Sequence, residues 1–383
     1  MPKRKLDLYE CAVSARTRWT FVRVETSDGL VGFGECSDAG RADRVRAIFG
    51  EVAEAFASIL DRVDHTAGHT AGGTAGRAAD DPAQILHAAM VLAGPGSGLT
   101  RRTVVGGVEQ AFCDLAARRT GQPLWKWLGG GAGDPVALYA NVNRVAGHRR
   151  PDDVAAAGAS AVADGFTTVK CAPFDVPLDG SSLADAGLAR LRALRSAVGP
   201  QVRLLVDCHE RLPISEVSRL VPDLEELDIA WLEDASACTD LAGLRALREA
   251  ASPPLAGGEI AGVPADVVPA VDQGLLDIVM PDVKHAAGLL RAMRIGQAVP
   301  SVQVSPHNPS GPIATAMSAH LGSSLPNFTM LEYAHGEAGW RAELVAGAEF
   351  AEQGLLHLPD GPGLGIDLVT DHPALQHASP LTI

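Results

Sequence analysis

Positive charge is scarce in this chain. Thirty-two lysines and arginines stand against 46 aspartates and glutamates, a net charge of −14. A surface of that sign repels nucleic acid and anionic membrane, so neither is expected as a partner. Cysteine is scarce as well. Cys11, Cys36, Cys113, Cys171, Cys208 and Cys238 form no CxxC pair and no dense framework, which points to a reduced, cytoplasmic setting. No apolar h-region follows Met1-Pro2-Lys3-Arg4-Lys5, so no signal peptide is evident. No apolar run reaches the roughly 18 residues that a membrane helix needs.

What is present is a globular composition, 46% apolar and 20% charged. The 383 residues suit a barrel of roughly 250 residues plus a second domain. Residues 1 to 36 alternate like antiparallel strands. Trp19 to Thr26 and Leu30 to Glu35 read as a hairpin around Ser27-Asp28-Gly29. Helices are expected over Arg41 to Asp61, Val104 to Gly121 and Pro123 to Leu128. The last is stopped by Gly129-Gly130-Gly131, a candidate domain boundary. Residues 62 to 82, rich in Gly, Ala and Thr, read as a mobile loop. His65 and His69 there have the i, i+4 spacing of a helical metal pair, but the glycine content argues against a helix. Gly94-Pro95-Gly96-Ser97-Gly98 is too incomplete for a nucleotide loop, since no Lys-Ser/Thr follows. Asn327-Phe328-Thr329 matches a glycosylation sequon but should be buried strand.

The informative stretch runs from Leu204 to Glu332. Six short apolar runs lead into Asp207, Glu233, Glu259, Asp282, His307 and Glu332, at spacings of 26, 26, 23, 25 and 25 residues. A buried parallel strand, a loop and a helix fit each interval, with helix-like segments at Asp240 to Ala250 and Ala287 to Gln297. Val136 to Val142 and Thr167 to Cys171 supply two earlier strands. Repeated βα units of this size predict a TIM-like barrel, whose functional groups gather at the C-terminal strand ends. Asp207, Glu233 and Glu259 can then converge on one hard cation, and an all-oxygen set with room for water suits Mg²⁺. His209 is expected to share Asp207's side of the strand by alternation. Asp282, one strand before His307, is placed to fix its tautomer, giving a general base for a carbon acid. Lys170, at the second strand's end, can bind a carboxylate or move a proton.

These residues together resemble the mandelate racemase branch of the enolase superfamily over nearly the whole chain. Gly29 to Glu35 is similar to the hairpin of that family's capping domain. Glu109 to Leu115 and Leu128-Gly129-Gly130 are similar to its helix and barrel entry, and Gly361-Pro362-Gly363-Leu364-Gly365 to its C-terminal return. The resemblance implies a modified TIM barrel, (β/α)7β, at 126–344, an α+β capping domain at 1–125, and a tail at 345–383 that returns to it. It implies Mg²⁺ on Asp207, Glu233 and Glu259, a His307–Asp282 dyad, and a homo-oligomer between dimer and octamer. Lys170-Cys171-Ala172 keeps only the first lysine of the racemases' Lys-x-Lys, which argues against two-base racemisation. Asp207-x-His209 and Pro281-Asp282-Val283-Lys284-His285-Ala286 are similar to galactonate-dehydratase-like acid sugar dehydratases.

The implied activity is dehydration of an aldonate. His307 would take the C2 proton, Lys170 and Glu332 would stabilise the carboxylate as it becomes an enediolate, and His209 would protonate the departing 3-hydroxyl. The product is a 2-keto-3-deoxy acid. A cycloisomerase, lactonising enzyme or epimerase stands as the alternative, with Lys284 facing Lys170 across the substrate; an inactive binding homologue is the non-enzymatic one. Substrate choice is expected from loops of the capping domain, around Ser14 to Trp19 and residues 62 to 82.

Overall fold

The structure, a computed structural model, describes residues 4–67, 80–131, 135–178, 180–250, 252–347 and 350–382. The N-terminal part begins with β1 (Lys5–Ala12), β2 (Arg18–Glu25) and β3 (Val31–Glu35), an antiparallel meander. Four helices follow: α1 (Ala42–Ala67), α2 (Pro82–Leu92), α3 (Leu99–Thr120) and the single turn α4 (Leu124–Trp127). The backbone corrects one expectation, because α1 continues through residues 62–67, which were assigned to a loop. The glycines that argued against a helix come later; His69 lies outside the described residues, so the His65/His69 pair is not described.

Why α3 lies so close to β3 is visible in the residues. A Cβ on Gly34 would stand 2.0 Å from the Gly107 carbonyl, and one on Gly32 2.3 Å from that of Ala111. Small residues at the crossing let helix and strand backbones touch.

The barrel follows. Its strands are β4 (Val136–Asn141), β5 (Thr168–Cys171), β6 (Arg203–Asp207), β7 (Ile229–Glu233), β8 (Leu255–Gly257), β9 (Ile278–Val279), β10 (Gln303–Val304) and β11 (Leu331–Ala334). Between them run α5 (Pro151–Ala163), α6 (Leu183–Val198), α7 (Ile214–Glu226), α8 (Leu241–Glu249), α9 (Val268–Asp272), α10 (Leu289–Gln297) and α11 (Pro312–Gly322). Neighbouring strands pair in parallel from β4 to β10. A bridge from Val304 to Phe328 and the pairing of β11 with β4 close the ring. Eight strands with seven intervening helices make the (β/α)7β barrel.

The tail contains β12 (Val345–Ala346), β13 (Phe350–Glu352), β14 (Leu355–His357), β15 (Asp367–Leu368) and β16 (Leu375–Thr382). It divides its pairing. β14 adds to β4 of the barrel, whereas β16 runs antiparallel to β1 and completes the N-terminal sheet.

Buried carboxylates join the two layers. Glu35 accepts the amides of Gly311 and Ala314 at the start of α11, and Glu109 those of Leu289 and Leu290 at the start of α10. Each places a negative group on an otherwise unsatisfied helix N-terminus. Asp114 accepts from Phe33 N–H and Leu364 N–H, tying α3 to the hairpin and the tail. Among the described residues no helix is long and apolar enough to cross a membrane.

Candidate active site

The barrel interior is filled, not open. Tyr139, Leu205, Trp231, Ala256, Ile278, Met280 and Met330 form a separate buried cluster, with the Tyr139 and Trp231 rings edge to face at 5.6 Å. Inward residues of the parallel strands thus form a dry floor. Directly above it comes charge: the Lys170 ammonium lies 5.6 Å from the Tyr139 ring centroid.

Lys170, within β5, has no exposed surface. Its Nζ lies 2.6 Å from Glu233 Oε1, 2.7 Å from Glu332 Oε1 and 3.7 Å from Asp207 Oδ2. Burial alone would discharge it, but the neighbouring carboxylates, Glu233 and Glu332 foremost, outweigh burial and hold its pKa well above the usual lysine value. Glu332 accepts from Asn141 Nδ2 at 2.6 Å and from the Asn308 amide at 2.8 Å. Burial pushes its pKa up, yet Lys170 and His307 bring it down to about 2. Glu233 goes the other way: burial raises it well above the carboxylate range, Lys170 opposes, and Asp207 and Glu332 add to the rise.

Two imidazoles stand at the mouth, each tethered to acids. His307 Nδ1 lies 2.8 Å from Asp282 Oδ2, and its Nε2 3.2 Å from Glu259 Oε2. Burial opposes its charge, but Glu259, Glu332 and Asp282 raise its pKa to about 9. The dyad expected from adjacent strand ends is therefore present as geometry. His209 Nε2 lies 2.9 Å from Asp207 Oδ2 and its Nδ1 2.9 Å from Asp175 Oδ1. Against burial, Asp175 and Asp207 raise its pKa to about 11.

His209 reaches Asp207 by a route other than strand alternation. β6 ends at Asp207, and His209 sits in the left-handed region at φ +46°. A turn, not the pleat, brings its ring back. Lys284 also departs from the alternative in which it faces Lys170 across the substrate. It is fully buried, and its Nζ donates to Asp282 Oδ2 at 2.6 Å, behind the dyad.

A cavity of about 320 Å³ opens over these groups, lined among others by Asp207, His209, His307, Asn141, Arg149 and Thr17. Lys170, Glu233 and Glu332 lie beneath it, each at most 1% exposed. Sequence reasoning missed Asn141 and Asp175. Asn141 ends the first barrel strand, so strand-end logic could have found it. Asp175 sits in the loop after β5, where no local signal marks it.

Asp207 and Glu233 meet at Lys170, whereas Glu259 reaches His307 instead, and among the described residues the three do not gather as a metal cluster; what suits a hard cation is their chemistry, carboxylate oxygen throughout. Glu233 Oε2 and Glu259 Oε2 are buried without a hydrogen-bond partner; for Glu259 the His307 contact is near enough for an ion pair but poorly aligned. Unpaired buried carboxylate oxygens are what a divalent ion would satisfy. Among the described residues the one group of three whose ligand atoms lie within 4.8 Å of one another is Asp282, His285 and His307. The Lys284 ammonium on Asp282 makes that cluster unfavourable for a second cation.

Comparison with known proteins agrees with this architecture. Residues 9–129 match the family described as mandelate racemase/muconate lactonizing enzyme, N-terminal domain, and residues 153–372 match the enolase C-terminal domain-like family. The chain belongs to the mandelate racemase/muconate lactonizing enzyme family of the enolase superfamily. It is 30% identical to a D-galactonate dehydratase family member of Streptomyces bingchenggensis, over 91% of this chain and 87% of the relative. It is likewise 30% identical to a D-galactonate dehydratase of Ralstonia pickettii, over 92% and 89%. Its fold matches a solved member of the enolase superfamily from Salmonella Typhimurium, with TM-score 0.81, 21% identity and full coverage of both chains.

Proposed function

We propose that the protein is an acid sugar dehydratase, a hydro-lyase that converts an aldonate to a 2-keto-3-deoxy acid. One observation carries this reading: two imidazoles, His307 and His209, line one cavity, and each is held by its own carboxylate, Asp282 and Asp175. Dehydration needs two such groups, one to take a proton from carbon and one to give a proton to the leaving hydroxyl.

His307 is the base. Nδ1 is engaged by Asp282; Nε2, paired with Glu259 Oε2 at 3.2 Å, would take the C2 proton once that carboxylate is drawn away and the ring is neutral. His209 is the acid, oriented by Asp175 on Nδ1; its Nε2, paired with Asp207 in this structure, would turn its proton to the 3-hydroxyl when Asp207 is otherwise engaged. Lys170 sits beneath the cavity and supplies fixed positive charge toward the substrate carboxylate as negative charge builds there. Glu332 departs from the role the resemblance implies. Its oxygens already accept from Asn141, Asn308 and Lys170, so we assign it to positioning Lys170. Asp207, Glu233 and Glu259 would hold Mg²⁺, which when bound supplies positive charge for an anionic substrate. The loop between β1 and β2 overhangs the mouth, where Ser14, Arg16 and Thr17 reach the cavity and can choose among sugar acids.

The position of Lys284 supports one base over two. A screen of aldonates with Mg²⁺ in D₂O, followed by NMR, tests the reading. A keto acid product is expected. Hydrogen exchange with inversion and no keto acid would mean epimerisation instead.

A further inference from the structure

We propose that a second cavity, between the N-terminal layer and the barrel, binds a small organic anion. It measures about 470 Å³ and is lined by the loop joining α2 to α3, by the loop that follows β8, and by α10. Part of its wall is Gly94-Pro95-Gly96-Ser97, which the proposed reaction does not use.

Its charge is unlike the rest of the chain. Arg102, Arg291 and Arg294 line it, against one carboxylate, Asp266. Asp266 is already committed: its Oδ2 accepts the amides of Gly262 at 2.7 Å and Val263 at 3.1 Å. Arg291 is buried and bonded only to neutral carbonyls. Its Nε and Nη2 donate to Gly262 O, and its Nη1 to Ala93 O at 2.8 Å. Those bonds join the two loops but bring no carboxylate into contact with the charge; Glu109 and Asp266 act on it only from a distance.

Arg102 meets Arg291 at Gly262. A Cβ built there would stand 2.3 Å from Arg102 Nη1 and 3.6 Å from Arg291 Nη2. The Arg102 Nε is buried without a hydrogen-bond partner. Among the described residues, no carboxylate comes within 4.0 Å of the guanidinium nitrogens of Arg102 or Arg291. Burial and, for Arg291, the charge of Arg102 lower both pKa values from the arginine norm, and Asp266, with Glu109 for Arg291, offsets this only in part. Two like charges held together, one of them buried, have a standing electrostatic deficit that an anion removes. A planar carboxylate or a phosphate suits guanidinium donors best.

The remaining wall argues for an organic body on that anion. Met90, Pro95, Val263 and Pro264 line the cavity, and Met90 and Val263 are 48% and 41% exposed. Apolar surface beside a cationic end fits a carboxylate or phosphate monoester with a small apolar group. The site is three residues beyond Glu259, on the same loop.

The test is calorimetric titration of the full chain at constant ionic strength with inorganic phosphate, phenyl phosphate and pyruvate. Wild type, Arg102→Gln and Arg294→Gln are compared. Wild type should bind phenyl phosphate or pyruvate more tightly than inorganic phosphate, and whichever binds identifies the head group. Arg102→Gln should weaken that binding at least tenfold, and Arg294→Gln should weaken it less. In anion-free buffer Arg102→Gln should melt no lower than wild type, because it relieves a repulsion. Absence of binding by all three probes, unchanged binding in Arg102→Gln, or a lower melting temperature for that variant would each overturn the proposal.

Discussion

At the scale of single residues, Asp282 shows how much one buried carboxylate can organise. It accepts from Lys284 Nζ and faces His307 Nδ1, and its Oδ1 takes the backbone amides of Lys284 and His285. Burial would raise its pKa, but His285, Lys284 and His307 hold it well below the carboxylate range. An ionised partner keeps the His307 ring oriented whether or not the ring is charged. His307→Asn preserves a donor to Asp282 and removes the base. We expect turnover to fall by about 10²–10⁴-fold, while the Mg²⁺-dependent rise in melting temperature persists. Loss of that rise would mean that His307 maintains the acidic set instead. Lys170 makes the opposite point. Lys170→Met strands Glu233 and Glu332 without their counter-charge, and breaking such a buried pair costs about 3–5 kcal/mol. Denaturant melts in EDTA would measure it; a change within error would show that these carboxylates simply take up protons.

At the scale of elements, α3 acts as a strut whose polar side chains hold other elements by their backbones. Glu109 is the clearest case. Burial raises its pKa to about 7, with the amides of Leu289 and Leu290 opposing. A raised folded-state pKa means that the folded chain holds the proton longer than the unfolded chain. The stability it contributes is fully present below about pH 4.5 and is lost as pH rises through about 7. Glu109→Gln removes that loss, so its stability relative to wild type should climb across this window by on the order of 3 kcal/mol. Chemical denaturation at pH 4.5, 5.5, 6.5 and 7.5 reads the difference, and a flat difference would contradict it. The neighbouring Gly288 has φ +133°, and a Cβ there would stand 2.4 Å from the Glu109 carboxyl carbon. Gly288→Ala should therefore drive Glu109 off the α10 amides and destabilise by roughly 1–3 kcal/mol, seen as a lower midpoint in the same melts.

At the scale of the whole molecule, the acidic set is a liability that a cation would turn into a constraint. Asp207 and Glu233 end two successive strands and Glu259 lies on the loop after the next, so an ion on all three would link three βα units. Any ligand that binds only the folded chain stabilises it by mass action, about 2.7 kcal/mol at one hundred times its Kd. We expect Mg²⁺ to raise the melting temperature and EDTA to reverse the rise. Glu259→Gln should abolish the response without lowering the metal-free melting temperature, since Glu259 is only partly buried.

The barrel and its ring of residues were legible in the chain because a parallel βα repeat imposes a spacing, and strand ends are where that spacing places functional groups. Asp207, Glu233, Glu332 and the His307–Asp282 pair follow from it. Asp175 did not, because a partner 34 residues from His209 leaves no period to read. The turn that carries His209, the burial of Lys284 behind Asp282 and the meeting of Arg102 with Arg291 were equally hidden. Each depends on distant backbone segments brought within a few ångströms. By itself the sequence determined the repeat, the order of the elements and the chemistry carried at each strand end. Only the tertiary structure decided which charges face the cavity and which lie beneath it, because burial and pairing belong to packed neighbours and not to neighbours in sequence.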